Sequence, residues 1–89
     1  MEYEWDPAKA KANRRKHLVS FTDAALALED PRALTVADPD ASGEQRFVNL
    51  GVDPNGRVLV TVFTPRGQRT RIISSRKASR SERRAYESK

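Results

Sequence analysis

The spacing of apolar residues along the chain changes once, and this change separates a helical part from a strand-forming part. Over Pro7–His17 the chain is rich in Ala, Lys and Arg, which favours a first helix capped by Asp6. After Ser20, which offers a second cap, apolar residues recur at helical spacing: Phe21, Ala24, Ala25 and Leu28. This stripe predicts an amphipathic second helix, which ends at the pair Asp30-Pro31.

Beyond Pro31 the apolar residues recur with a period of two, which is typical of strands. Four strands are predicted, over residues 33–37, 45–52, 57–64 and 68–75. A loop over residues 38–43 and two turns over residues 53–56 and 65–67 separate them. Turns of two to four residues join antiparallel strands only, so the sheet is predicted to be an antiparallel meander.

The capping box of Ser79 and Glu82 predicts a last helix that runs through Tyr86. The predicted fold class is therefore α+β, with two N-terminal helices on one face of a four-stranded antiparallel sheet plus a C-terminal helix. We expect residues 1–89 to form a single domain. Because a domain of this size has one thin core layer, an active site on the open face of the sheet is expected rather than an enclosed cavity.

Cysteine is absent, which favours a reducing compartment and excludes zinc fingers and thiol chemistry. The first residues lack the basic start and apolar run of a signal peptide, and no apolar stretch approaches the length of a membrane span. We therefore expect a cytoplasmic protein without a membrane association.

The positive charge of the chain is concentrated in its last third. The net charge is +5, but residues 64–89 carry nine Lys and Arg against two acidic residues, whereas residues 1–63 carry eight against ten. A basic segment of this kind is typical of a surface that binds a polyanion. It is also compatible with a solvated helix face followed by a basic tail.

Two arginines lie in the last predicted strand. Strict alternation places Arg69 and Arg71 on one face with Ile73. The other face then carries Thr70, Ile72 and Ser74. The two guanidinium groups need an anion, which is either a phosphate or a carboxylate such as that of Glu44.

Two further places carry residues suited to acid–base chemistry. Glu44 and Arg46 are two residues apart and are therefore predicted to share one strand face. They are either an ordinary ion pair or a general base with a charge stabiliser. His17, the one histidine, follows Lys16 at the end of the first helix. Cations there favour the helix dipole, and a histidine there is equally a proton-transfer group.

Several other classes of site have no motif in this sequence. There is no glycine-rich phosphate loop, no paired-carboxylate metal cluster, no nucleophile elbow and no aromatic spacing for base stacking. We therefore expect no metal and no cofactor. A non-enzymatic basic adaptor for nucleic acid or an acidic partner remains the alternative, and a DNA-binding repressor is disfavoured because no helix-turn-helix is recognisable.

A set of short motifs in a fixed order resembles the BrnT toxins. The motifs are Glu4-Trp5-Asp6, Asn13 with Lys16-His17, Ser20-Phe21, Asp30-Pro31, Glu44-x-Arg46, Gly51, the run from Arg71 to Ala78, Glu82-Arg83 and Tyr86. They span nearly the whole chain, with Leu18 standing where the family more often has Gly.

The resemblance implies a RelE-like fold and a metal-independent ribonuclease that arrests translation. It also implies neutralisation by a BrnA-type ribbon-helix-helix antitoxin, through which alone the toxin reaches operator DNA. With RNA as substrate, the catalytic residues are predicted to be His17, Glu44, Arg46, Arg71 and Arg76. Further contacts to RNA are predicted for Lys16, Arg69 and Arg80.

Overall fold

The structure, a computed structural model, describes residues 2–41 and 43–88. The chain ends of the predicted domain, Met1 and Lys89, and Ser42 of the predicted loop lie outside the described residues. These described residues form three helices and five strands, in the order β1 (Glu2–Glu4), α1 (Pro7–His17), α2 (Phe21–Leu28), β2 (Leu34–Ala37), β3 (Phe47–Val52), β4 (Val58–Arg66), β5 (Arg69–Lys77) and α3 (Arg80–Glu87). The class is α+β, as the periodicity predicts.

The sheet has five strands in the order β1-β5-β4-β3-β2, so the prediction of four strands was wrong. Strands β2 to β5 form the expected antiparallel meander. Strand β1 adds to its edge in parallel, with Glu2 opposite Arg69 and Glu4 opposite Arg71. Three residues are too few to show a period of two, and their partner lies more than sixty positions away along the chain.

The hairpin between β4 and β5 is tighter than predicted. Strand β4 continues to Arg66 and β5 begins at Arg69, which leaves Gly67 and Gln68 as the turn. Gly67 has a φ of 62°, a left-handed conformation that glycine adopts without a steric cost. Pro65 therefore lies within the strand rather than in the turn.

The first two helices begin at the predicted caps and pack on one face of the sheet. The side chains of Asp6 and Ser20 accept hydrogen bonds from the backbone N–H groups of Ala8 and Asp23. The buried core between α2 and the sheet consists of Phe21, Ala24, Ala25 and Ile72, with Val19, Ala27 and Leu59 beside it.

One glycine in β3 allows the end of α2 to approach the sheet closely. A Cβ atom on Gly51 would lie 2.3 Å from the carbonyl oxygen of Ala27. Any side chain at this position would therefore force the helix to move. The small residue therefore sets the distance between α2 and the sheet. No helix in the described part of the chain is long and apolar enough to cross a membrane.

Helix α1 is fixed to the sheet by a buried amide. Asn13 is the buried residue of this helix. Its Nδ2 donates to the carbonyl oxygens of Ser75 at 2.8 Å and Val19 at 3.1 Å, and its Oδ1 accepts from the N–H of Ser75 at 3.1 Å. Strand β1 pairs with β5 only as far as Arg71, so at Ser75 the amide occupies the edge of β5 that faces away from β4.

Strand β5 contains one residue that has no partner in β4. Val62 lies opposite Ser74, and Phe63 lies opposite Ile72, so that Ile73 is an extra residue in a β-bulge. Side chains alternate between the two faces of a strand, and one extra residue reverses the alternation beyond it.

The bulge changes which side chains of β5 share a face. Ile72 packs with the helices, but Ser74 lies with Arg76 on the opposite face of the sheet. Strict alternation placed Ser74 on the face of Ile72, and this prediction was wrong because of the bulge. Arg69 and Arg71, which precede the bulge, share the open face with Arg76, which follows it.

We predict that Asn13→Ala strongly destabilises the fold. It removes three hydrogen bonds and leaves buried backbone groups at Ser75 without partners, which costs about 2–4 kcal/mol in the free energy of unfolding. Thermal unfolding followed by circular dichroism should show a melting temperature lower by roughly 10 °C or more. Asn55→Ala, in an exposed turn, is the control and should melt like the wild type. Equal melting of both variants would contradict this account of Asn13.

Candidate active site

The face of the sheet opposite α1 and α2 contains a groove of about 310 Å³. The groove is lined by one imidazole, one guanidinium group, two serines and three valines. These residues are His17, Arg76, Ser74, Ser75, Val48, Val60 and Val62. The structure thus brings together two predicted site residues that are 59 positions apart in the sequence, His17 and Arg76. We call this cavity the sheet groove.

His17 reaches the sheet groove because α1 runs along the free edge of β5. It lies four residues, about one helical turn, after Asn13, which holds α1 against Ser75. The side chain is half-buried. Lys16, the preceding residue, is exposed, and no hydrogen bond or ion pair of its side chain occurs among the described residues.

Arg76 is held in place by the first turn of α3. Its NH1 and NH2 donate to Oε1 and Oε2 of Glu82, both at 2.9 Å, and NH1 also donates to the carbonyl oxygen of Lys77 at 3.3 Å. Glu82 completes the predicted capping box by accepting from the backbone N–H of Ser79. The bond from Arg76, with that from Ser79, lowers the pKa of Glu82 to about 2, and the same pairing raises the pKa of Arg76.

The pairing with Glu82 does not use all of the hydrogen-bond donors of Arg76. A guanidinium group has five N–H donors. Three of them serve the described contacts to Glu82 and Lys77, which leaves two for a ligand in the sheet groove. The carboxylate therefore orients the side chain, which is 46% exposed, and leaves part of it available to an anion.

The predicted pair Arg69 and Arg71 lies on the same face, at the edge formed by β1. Arg71 donates to Glu4 at 2.7 Å, and Arg69 lies 3.6 Å from Glu2 and 3.8 Å from Glu4. The sequence left open whether a phosphate or a carboxylate pairs with these arginines. In the structure carboxylates do, and they belong to β1 and not to Glu44. Arg71 uses one of its N–H groups in this described contact, so it also retains donors for a further anion.

Glu44 and Arg46 lie just before β3, as a loose ion pair of 3.7 Å, and Arg66 lies 3.5 Å from the same carboxylate. The prediction that Glu44 and Arg46 both lie within a strand was wrong, because β3 begins at Phe47. Neither Glu44 nor Arg46 lines the sheet groove. The Nε of Arg46 is buried and has no hydrogen-bond partner among the described residues, which is an unfavourable state for a charged donor.

Helix α3 is anchored at both ends, so the position of Glu82 is well defined. Near its C-terminus, Tyr86 donates a hydrogen bond to Asp30, which also accepts from the backbone N–H of Val52 at 2.9 Å. Desolvation alone would raise the pKa of Asp30, but these hydrogen bonds outweigh it and lower that pKa. The bond to Asp30 raises the pKa of Tyr86. Arg80 is the first, exposed residue of α3.

Three residues that organise the site were noted in the sequence motifs but were not among the predicted site residues. Asn13 positions His17, Glu4 binds Arg71, and Glu82 orients Arg76. The spacing of four residues between Asn13 and His17 was a usable signal, since it places both on one side of a helix. The pairing of Glu4 had no such signal, because it depends on β1. No group of three or more potential metal-ligating side chains occurs in the described part of the chain.

Comparisons with known proteins agree on one family. The family model described as "ribonuclease toxin, BrnT, of type II toxin-antitoxin system" matches residues 5–82. The 1.1 Å crystal structure of the Brucella abortus ribonuclease toxin BrnT superposes with a TM-score of 0.67 at 25% sequence identity, over 90% of this chain and 99% of that one. No curated protein matches the chain.

We predict that the attachment of α3 weakens in acid through Glu82. Because folding lowers the pKa of this carboxyl group to about 2, its contribution to stability is complete above its usual pKa of 4.5 and is lost as the pH falls toward 2. The pair is partly exposed, so the effect is below about 1 kcal/mol. The protection of the α3 amides against hydrogen exchange, relative to the intrinsic exchange rate at each pH, should decrease over this range.

The matched variants for this prediction lie on the same helix. Glu82→Gln should show lower protection of these amides already at neutral pH and a smaller further loss in acid than the wild type. Glu87→Gln, at an exposed position, should behave like the wild type. A Glu82→Gln variant with the same exchange rates and acid response as the wild type would contradict the prediction.

Proposed function

We propose that this chain, which belongs to the BrnT family of ribonuclease toxins of type II toxin–antitoxin systems, cleaves RNA in the sheet groove without a metal ion. Membership of the family makes RNA the substrate and an antitoxin the partner. The observation that carries the proposal is that His17 and Arg76 line one groove on the open face of the sheet. A proton-transfer group beside an oriented cation is what phosphodiester cleavage requires.

The reaction that fits these groups is an internal transesterification of the RNA backbone. The 2′-hydroxyl loses its proton to a base and attacks the adjacent phosphorus, and the bond from phosphorus to the 5′-oxygen breaks. An acid protonates the leaving 5′-oxygen, which gives a 2′,3′-cyclic phosphate and a 5′-hydroxyl end. Negative charge increases on the phosphoryl oxygens during the attack, so nearby cations lower the barrier.

The two proposed proton-transfer groups occupy different places. His17 lines the sheet groove, where it can reach the reacting phosphate. Glu44 lies outside the groove, paired loosely with Arg46, and is the candidate for the second proton transfer. We assign the larger part of acid–base catalysis to His17, because its position beside Arg76 places proton transfer and charge stabilisation at one phosphate.

The arginines of the open face are proposed to hold the charge of the RNA backbone. Arg76 lines the sheet groove and retains two donors, and the Nε of Arg46 has only the loose contact of 3.7 Å to Glu44 and no hydrogen bond. Arg71 can bind a phosphate with the donors that Glu4 does not use. The flanking phosphates are assigned to the cations predicted from the sequence, namely Lys16, Arg69 and Arg80.

We further propose that the antitoxin is a BrnA-type ribbon-helix-helix protein, and that the toxin contacts operator DNA only through it. The support is the ordered set of motifs that resembles the BrnT toxins, from Glu4-Trp5-Asp6 to Tyr86. The same resemblance supports a single-domain toxin that acts in the cytoplasm by arresting translation.

We predict that the purified protein cleaves RNA in excess EDTA. Guanidinium groups supply the positive charge, so removal of divalent cations should leave the rate unchanged within about twofold. Total RNA incubated with the protein should show new fragments with 2′,3′-cyclic phosphate ends. Intact RNA in EDTA, with cleavage restored by magnesium, would contradict the metal-independent mechanism. Binding of RNA without cleavage in either buffer would instead favour the basic adaptor.

We predict that Arg76→Ala and His17→Ala lower cleavage without unfolding the protein. Removal of a charge stabiliser at a reacting phosphate costs on the order of 10²–10³ in rate. The ion pair of Arg76 is partly exposed, so the melting temperature should fall by only a few degrees. Cleavage of a defined RNA oligonucleotide, measured beside thermal melts, checks both expectations.

The control for this series is Arg83→Ala, which removes the same charge from an exposed position on α3. Arg46→Ala and Arg71→Ala should fall between the control and Arg76→Ala, because both lie outside the lining of the sheet groove. Wild-type cleavage by Arg76→Ala and His17→Ala would exclude the sheet groove as the active site. A large loss of thermal stability would assign these residues to the scaffold.

A further inference from the structure

A second groove, of about 550 Å³, lies on the helical side of the molecule, apart from the lining of the sheet groove. The N-terminal segment, α1 and the start of α2 form it. Its apolar surface includes Trp5, Leu18 and Phe21, and its cations are Lys11, Arg14 and Arg15. No carboxylate lines it. We call this cavity the helix groove.

Leu18 in this groove has a costly conformation and an exposed side chain. It caps α1 with a φ of 59° and a ψ of 31°, the left-handed region that L-residues avoid because Cβ approaches the backbone. A glycine would make the same backbone hydrogen bond to Arg14 without this cost. The leucine side chain is 68% exposed, so burial within the chain does not compensate for the strain. The backbone contacts of Leu18, to Arg14 and Arg57, explain the conformation but would be the same for glycine, so the choice of leucine points to a role of its side chain in binding.

The cations of the helix groove are not used within the described part of the chain. The side chains of Lys11, Arg14 and Arg15 make no hydrogen bond or ion pair to described residues. The helix dipole accounts for basic residues in the last turn of α1, which includes Arg14 and Arg15, but not for Lys11. An apolar surface beside three cations is complementary to an amphipathic helix that carries carboxylates next to its apolar stripe.

The aromatic residues favour a protein over RNA as the occupant. Trp5 packs edge-to-face on Phe21, with ring centroids 5.9 Å apart and an angle of 79° between the planes. Both rings belong to, or pack against, the buried core, so they do not form a free platform on which bases stack. The most exposed apolar group in the groove is an aliphatic side chain, that of Leu18.

We infer that the helix groove binds an acidic amphipathic helix of the antitoxin. The inference depends on the proposed function only in taking an antitoxin as the partner. It locates the contact on α1 and α2, apart from the sheet groove, so that the residues which hold the antitoxin and those which cleave RNA are different. Substitutions can therefore separate the two activities.

The experiment uses the purified toxin and its purified antitoxin, a BrnA-type protein under the proposed function. Leu18→Gly removes the apolar contact and the strain, so this variant should melt at or above the wild-type temperature while antitoxin affinity falls on the order of tenfold. Lys11→Glu reverses one cation and should weaken the complex by a similar factor. RNA cleavage without antitoxin should stay within about twofold of the wild type for both variants.

Two controls match these changes outside the groove. Lys9→Glu reverses an exposed charge on the same helix, and Leu26→Ala shortens a leucine on α2 that is 48% exposed. Both should bind the antitoxin like the wild type.

Wild-type affinity of Leu18→Gly and Lys11→Glu would overturn the inference, and so would loss of RNA cleavage in Lys11→Glu, which would assign the groove to RNA. A wild-type toxin that binds the antitoxin but leaves RNA intact would contradict the proposed reaction, while the affinities of the variants would still decide the groove.

Discussion

The arrangement of the site depends on one buried amide, because α1 has no apolar stripe to hold it. Its one buried residue is Asn13, whose amide bonds the backbone of β5 at Ser75 and the chain at Val19. Helices of globular proteins are usually positioned by apolar packing, which is non-directional. Hydrogen bonds to both backbone groups of one residue also fix the register of the helix along the strand. This contact fixes the rotation of α1 about its own axis and its position along β5. The position of His17 follows from both.

Because α1 is held mainly by an amide, with a small apolar contact from Ala10, much of the surface of the helix is available for other contacts. One end carries His17 toward the sheet groove, and the outer side carries Lys11 and Arg14 at the helix groove. Two carboxylates orient two arginines of the open face. Glu4 accepts one hydrogen bond from Arg71 and Glu82 accepts two from Arg76, and both arginines keep further donors unused. In the basic last third of the chain, Arg71 and Arg76 therefore have orientations that carboxylates define.

Much of this fold follows from local sequence patterns. Three local patterns predict α2, the antiparallel strands and α3. They are the apolar stripe after Ser20, the period of two beyond Pro31 and the capping box at Ser79, and each lies within a short window. Strand β1 and the bulge at Ile73 could not be predicted, because both depend on a partner strand far away in the sequence. The same limit applies to the site. Residue type selected His17 and Arg76 as candidates, but only the path of α1 along β5 shows that they meet.

The bulge in β5 makes the site sensitive to the number of residues in the strand as well as to their identity. Arg71 and Arg76 are five positions apart, an odd spacing that would place them on opposite faces of a regular strand. The one additional residue at Ile73 brings both to the same side. A deletion of one codon there would leave every charged residue of the protein intact and turn the end of the strand over. An alignment of homologous sequences should therefore keep the number of residues between these two arginines constant. A gap of one residue placed between them would assign the arginines to opposite faces of the sheet.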